Sequence, residues 1–292
     1  MSSPDLRRRV QDELHIKGLL SAYGMTELSP MTSSTNHTDS MEHQLHTVGH
    51  PVPHSSIKIC MPENPDVTVK TGQRGEILAS GYHVMNGYWN NAEKTAEAFR
   101  GSIEHVKGVG DYETGEKLVV RWLRTGDEGM MDAEGRLSIT GRIKDVIIRG
   151  GENIYPHELE QCLASLPGLE AVSVVGMPDA KMGEVVAAFV KVSPRVQIVS
   201  EEGVVDVADL RAGVVDSGRE EVTSGPLREY ECSITATSVR QHVQDRLAKH
   251  QVPKYVFWVA RMPLTASGKV EKHTLRKWGE QKLNEALYVV DD

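Results

Sequence analysis

Near Gly141 the hydrophobic period of the sequence changes, and that change limits the fold more than any other feature. Between Ser55 and Thr140 the apolar residues come in short alternating runs, SIKIC, GEILASG, LVVRWL and RLSIT, divided by Gly, Pro, Asn and Asp. A period of two marks strands with one buried face, so this stretch predicts a small antiparallel sheet or barrel. MMDAEGRLSIT reads as a hairpin closing around Ala133 to Gly135. After Gly141 the segment types alternate as βαββαβ. DVIIRG comes first, then a helix with Leu159, Cys162, Leu163 and Leu166 on one face, AVSVVGM, VVAAFVKV, a helix around Val239, Val243 and Leu247, and YVFWVA. That pattern predicts a compact α+β unit, so the chain divides into residues 1–142 and 143–288.

Two further segments complete the layout. Pro4 to Leu14 carries Leu6, Val10 and Leu14 at helical spacing, with Ser3 as an N-cap before the proline. From about 194 to 237 no period holds. Glu, Asp, Gly and Ser dominate there, which predicts a long exposed or disordered insertion.

Length and composition narrow the class. The 292 residues, 39% of them apolar, suffice for two cores. The formal charge is -8, with both signs mixed along the chain, so no basic block points to nucleic acid or an anionic membrane. The longest apolar stretches, such as Val185 to Val192, fall well short of the roughly 20 residues a membrane helix needs. No signal-type apolar core follows MSSPDLRRRV, and Val290, Asp291 and Asp292 are not a peroxisomal tripeptide, so the cytoplasm is the expected compartment. Cys60, Cys162 and Cys232 are few, odd in number and widely spaced, which fits reduced thiols.

Several short motifs carry candidate chemistry. In YGMTELSP, Tyr23 to Pro30, a small-residue turn presents a threonine hydroxyl beside a carboxylate, a pair able to serve a phosphate and its magnesium ion. In LRTGDEG an aspartate held after Gly126 can accept hydrogen bonds from the two hydroxyls of a ribose. GRIKDVIIRGGENIYPHELE sets Arg142 and Lys144 at the boundary and two adjacent glycines before a helix. The arginine offers a planar fork of donors, and Gly150 and Gly151 let a ligand approach the backbone. Taken singly, each also reads as a turn residue, a solvated charge or a glycine loop. No Gly-x-x-x-x-Gly-Lys-Ser/Thr loop is present, and GVGDYETG has the wrong spacing for a dinucleotide fingerprint. His37, His43, His46, His50 and His54 invite a zinc reading, but Gly49, Pro51 and Pro53 break the stretch and oppose helical pairing of ligands.

In combination the motifs are specific. YGMTE, GEILASGYHVMNGYWNNAEKTAEAF, LRTGD, GRIKDVIIRGGENIYPHELE and PLTASGKVEK, in that order, resemble the later signatures of the adenylate-forming (AMP-binding) enzymes, in the acyl-CoA synthetase/ligase branch. The resemblance implies the C-terminal part of that fold: a remnant of the large domain with a small β-barrel, plus a small α+β lid domain. It implies ATP, Mg2+ and coenzyme A as co-substrates or cofactors and a carboxylic acid as substrate. By the same resemblance Tyr23, Gly24 and Thr26 face the nucleotide, with Thr26 on the α-phosphate. Glu27 is the magnesium ligand, Asp127 and Arg142 hold the ribose, and Lys144 is the hinge. Gly150 and Gly151 line the coenzyme A channel, and Lys269 bridges the substrate carboxylate and the α-phosphate as the catalytic residue.

The resemblance also implies a large section upstream of Tyr23, with a Ser/Thr/Gly-rich phosphate loop, so Met1 looks like an internal methionine. Departures are His50 where Arg or Lys is usual, Ser267 where Asn is common, and the acidic insertion. The expected function is ATP-dependent activation of a carboxylic acid to acyl-AMP and transfer to the thiol of coenzyme A, with the truncated chain inactive by itself. The alternatives are a non-catalytic lid-domain remnant with a binding or regulatory role, and a His-rich metal-binding protein.

Overall fold

The computed structural model describes residues 4–16, 18–99, 103–110, 117–200, 203–204, 232–266 and 268–288. The chain forms two compact units, Met1–Lys144 and Asp145–Asp292.

The first unit opens with α1 (Pro4–Leu14), as the spacing predicts; Ser3 lies outside the described residues. Three two-residue strands, β1 (Ala22–Tyr23), β2 (Ser33–Ser34) and β3 (His50–Pro51), pair in that order, with the short helix α2 (Met41–His46) between the last two. The alternating runs become β4 (Ser55–Met61), β5 (Asn64–Thr68), β6 (Gly75–Gly81), β7 (Ile103–Gly110), β8 (Lys117–Arg121), β9 (Leu123–Met131) and β10 (Leu137–Arg142), with α3 (Ala92–Ala98) before β7. LVVRWL is not one strand: it ends β8 and begins β9 on either side of Trp122. The β9–β10 hairpin closes where expected. Asp132 Oδ1 accepts the amides of Glu134 and Arg136, and Gly135 takes the left-handed conformation the turn requires, at φ +83°.

The expected barrel is not what forms. Five strands make an open antiparallel sheet in the order β10-β9-β6-β4-β5, and a separate ladder joins β7 to β8. Closure needs the two edge strands to pair with each other, and among the described residues β5 and β10 do not. At the centre, β6 is buried from Gly75 to Ser80 and feeds three small clusters. Ile77 packs with Val48, Ile59 and Leu137, Ala79 with Leu28, Phe99 and Leu123, and Leu78 with Cys60 and Trp122.

The second unit follows the βαββαβ expectation and adds to it. Its elements are β11 (Ile147–Arg149), β12 (Glu152–Ile154), α4 (Pro156–Ala164), β13 (Leu169–Asp179), β14 (Gly183–Val192), β15 (Val196–Ser200), β16 (Gly203–Val204), β17 (Cys232–Ile234), α5 (Ala236–Gln244), β18 (Tyr255–Trp258) and α6 (Lys272–Tyr288). The apolar run in β14 is a central strand, antiparallel to β13 and parallel to β18. Its residues alternate between two cores. Val186, Ala188 and Val190 meet Leu159 and Leu163 of α4 and Val239 and Val243 of α5; Val185, Ala187 and Phe189 meet Leu275 of α6. Both faces of the sheet are thus covered by helices, which accounts for a continuous apolar stretch where alternation would otherwise appear. Complete burial of one such side chain stabilises by about 1.5–3 kcal/mol.

The segment expected as an insertion is corrected at its ends. β15 pairs in parallel with β17, and Val196, Ile198 and Ile234 are buried in the core beneath α4 and α5. Residues 205–231 lie outside the described residues. The chain re-enters helix at Thr235, whose hydroxyl caps Ser238 while Ser238 reaches back, a reciprocal cap that starts α5. No helix among the described residues is long and apolar enough to cross a membrane.

Candidate functional site

The sharpest feature of the first unit is at the Thr125–Asp127 turn. Opposite β6, strand β9 bulges: Glu76 faces Glu128 and Leu78 faces Arg124, so Ile77 alone stands against Thr125, Gly126 and Asp127. Gly126 has φ +70°, a conformation other residues adopt at a cost. The bulge turns out Asp127, which is buried with 7% exposure. Its carboxylate receives the Tyr23 hydroxyl on Oδ2 at 2.7 Å and Arg142 Nε on Oδ1 at 2.7 Å. Three residues widely separated in sequence are therefore brought together. Burial and the neighbouring Asp127 raise the Tyr23 hydroxyl well above the usual phenol range, so it stays a donor. The half-exposed Arg142 thus forms an ion pair with the largely buried carboxylate.

Beside it, Thr26–Leu28 form a single 3₁₀ turn, anchored by the fully buried Leu28. Gly24 enters this turn against Pro30, whose carbonyl oxygen would be 1.9 Å from any Cβ at position 24. Thr26 is exposed and Glu27 half-buried. The Glu27 carbonyl accepts the Met85 amide at 2.9 Å, and its Oε1 accepts the Tyr88 hydroxyl at 2.8 Å. A carboxylate held from one side and accompanied by a hydroxyl is an all-oxygen donor set. That suits magnesium, which commonly takes one or two carboxylates and completes its shell from phosphates and water. No three His, Cys, Asp or Glu side chains among the described residues converge as a metal site. His50, from the histidine-rich stretch, instead meets the Glu134 carbonyl through Nε2 at 3.1 Å.

Lys144 is exposed in the 3₁₀ turn Ile143–Asp145, at the end of the first unit. Within the second unit the glycine loop follows β11. Gly150 and Gly151 take φ +59° and +88°, both are exposed, and the Gly150 amide donates to the Met182 carbonyl at 2.8 Å. Lys269 stands on another exposed turn of the same unit. The Thr265 amide donates to the Lys269 carbonyl at 2.8 Å, the Lys269 amide to Thr265 Oγ1 at 3.1 Å, and Gly268 takes φ +80° between them. A bridge between Leu264 and Val270 closes the base of this hairpin. Ser267 lies outside the described residues.

Sequence reasoning missed Tyr88, which orients Glu27, and the pair Glu76 and Arg124, which supports the Asp127 bulge. A signal existed for both. Glu76 is a carboxylate in a strand otherwise buried, and Tyr88 belongs to an aromatic run in a loop, where a structural core residue is not needed.

The model of the AMP-binding enzyme family matches residues 1–89, and that of the AMP-binding enzyme C-terminal domain matches residues 158–269. An acyl-CoA ligase sidI of Aspergillus fumigatus is 38% identical over 97% of the chain, and the mitochondrial medium-chain acyl-CoA ligase ACSF2 of Bos taurus is 34% identical over 96%. The chain spans 40% and 37% of those two relatives. Among solved structures, ATP-bound MatB from Rhodopseudomonas palustris superposes with a TM-score of 0.68 at 27% identity, covering 94% of this chain and 43% of that one. With both family models matched in their order along the chain, and the fold shared with these structures, the chain belongs to the AMP-binding, adenylate-forming enzymes and carries the C-terminal portion of their fold.

Proposed function

We propose that this chain is the C-terminal part of an acyl-CoA ligase, which activates a carboxylic acid with ATP to an acyl adenylate and passes the acyl group to the thiol of coenzyme A. The observation that carries the proposal is the Asp127 carboxylate, buried and held between Tyr23 and Arg142. In this reading it accepts the ribose hydroxyls while Tyr23 and Gly24 border the nucleotide. Thr26 donates to the α-phosphate, and Glu27, steadied by Tyr88, ligates magnesium, which offsets phosphate charge when bound.

The chemistry explains why a second unit is needed. A carboxylate oxygen attacking the α-phosphorus brings two anions together and expels pyrophosphate; positive charge must stand where negative charge accumulates. Lys269 serves that step from its exposed turn. The thiol of coenzyme A then attacks the acyl carbon and AMP leaves, so one centre meets two nucleophiles in turn. Rotation about Lys144 would withdraw Lys269 and present the Gly150–Gly151 loop, whose lack of side chains leaves room for a thiol arm.

Pyrophosphate exchange tests the reading. The relatives carry more than half of their length outside the matched region, so the 292 residues alone are expected to show no exchange with any carboxylic acid. Joined to the upstream portion of such a relative, they are expected to show it. Exchange by the isolated chain would refute the proposed inactivity, and none from the joined protein would refute the assignment.

A further inference from the structure

We infer that Glu76 is a positioning residue for Asp127: it sets the β9 bulge that aims the carboxylate. This rests on the nucleotide role proposed above. Glu76 is 2% exposed, so its charge must be met within the protein. Its Oε2 receives Arg124 through both Nε and Nη2, and Arg124 also donates to the Pro62 carbonyl at 2.8 Å.

The other oxygen points to function. Glu76 Oε1 accepts the amide of Gly126 at 3.2 Å, a group left without a ladder partner because it belongs to the bulge. Next to it, Thr125 Oγ1 donates to the Ile77 carbonyl at 2.8 Å and accepts the Asp127 amide at 3.1 Å. The two amides on either side of Gly126 are thus pinned by one carboxylate and one hydroxyl, and the Asp127 side chain leaves the turn in a fixed direction. A buried Glu–Arg pair kept only for stability can often be exchanged for apolar groups. Here the carboxylate carries a backbone donor that no apolar side chain can satisfy.

The experiment uses the chain joined to the upstream portion of a relative, and compares kcat/KM for pyrophosphate exchange with ATP and with 2′,3′-dideoxy-ATP. Two charge-assisted hydrogen bonds to the ribose predict a preference for ATP on the order of a hundredfold. Glu76→Gln, with a single oxygen for two sets of donors, is expected to cut that preference below about tenfold and to raise KM for ATP more than it lowers kcat. Arg124→Gln breaks the same ion pair but leaves Oε1 for Gly126, so it should destabilise the fold while keeping the preference. Thr125→Val, nearly isosteric, should behave as Glu76→Gln does, and it preserves the test where the glutamate variant does not fold. Equal loss of preference in Glu76→Gln and Arg124→Gln, or no loss in Glu76→Gln and Thr125→Val, overturns the inference. An unmodified joined protein that does not distinguish the two nucleotides overturns the ribose role of Asp127 itself, a separable failure.

Discussion

The two units solve the problem of stability by different means. In residues 145–292 the core is apolar on both faces of one sheet, and Ser173, His242 and Gln251 are the buried polar residues among those described. In residues 1–144 the apolar clusters are small, and Thr32, Ser33, Glu76, His83, Thr125, Asp127 and Glu128 are buried among them. The first unit therefore depends on hydrogen bonds being satisfied, and the second on area removed from water. The candidate site residues divide in the same way. The Asp127 carboxylate belongs to the interior that stabilises its unit, whereas Lys269 and the glycine loop stand on exposed turns over a core they do not support. On the function proposed above, the group that must bind in one geometry is part of the fabric, and the groups that must come and go are mounted on it.

The sharpest way to break this contrast is Lys269→Ala. If the turn is only mounted on its unit, the change should leave the melting temperature unaltered yet lower adenylate formation by roughly 10³–10⁵-fold in the joined protein, the scale of losing a cation at a reacting phosphate. Thioester formation from a supplied acyl adenylate should change far less. Parallel losses in the two half-reactions contradict the division of roles.

Phe189→Ala should do the reverse. Phe189 is 1% exposed, stacks on Phe257 at 4.9 Å between centroids and belongs to the cluster under α6. Its truncation is expected to cost about 3–5 kcal/mol by chemical denaturation. A loss below about 1 kcal/mol would show that the apolar layers do not carry the second unit.

The sequence makes much of the element order legible. The hairpin around Gly135, the starting helix and the βαββαβ order follow from local periodicity and turn chemistry, which neighbouring residues settle among themselves. What escaped was non-local. An open sheet and a barrel have the same alternating strands and differ only in whether β5 meets β10. The parallel pairing of Val196–Ile198 with Cys232–Ile234 joins segments on either side of a long polar stretch that hides it. Helix α6 was overlooked because Gly279 interrupts a weak pattern; the close approach of Met177, 2.9 Å from a Cβ built there, explains that glycine. In the site, motif order points to Tyr23, Asp127 and Arg142 but not to their mutual contact, and Glu76 and Tyr88 lie in GEILASGYHVMNGYWNNAEKTAEAF, a motif within which the resemblance assigns no site residue.

Two glycine substitutions compare the units at smaller scale. A Cβ at Gly24 would collide with the Pro30 backbone, two residues before the Thr32 amide that donates to the Tyr23 carbonyl, whereas one at Gly150 would meet the thioether methyl of Met182 at 2.6 Å, the far end of a flexible side chain. Gly24→Ala should therefore cost about 3 kcal/mol, at the upper end for overpacking, and Gly150→Ala about 1–2 kcal/mol, mainly for its left-handed conformation. Denaturation midpoints decide the order, and the reverse order would mean that the exposed glycine loop, not the Thr26 turn, is the rigid one.

The smallest expected effect concerns His83, which tests whether the polar interior of the first unit makes its stability sensitive to pH. This side chain is 6% exposed. Its Nε2 lies 3.2 Å from Thr32 Oγ1 and 3.5 Å from Ser55 Oγ, Tyr82 meets it edge-on, and its Nδ1 has no partner among the described residues. Burial lowers its pKa below the ordinary value of 6.5. A depressed folded-state pKa contributes stability that is fully present above the unfolded value and is lost as pH falls through 6.5 toward the folded pKa, because the unfolded chain takes up a proton the folded one resists. The wild-type chain should thus lose denaturation midpoint between pH 7.5 and 5.5, and His83→Gln should lose less over the same interval, whatever its stability at pH 7.5. If both proteins lose the same amount, the acid sensitivity lies elsewhere, and the buried polar groups of this unit are as indifferent to pH as the apolar layers of the other.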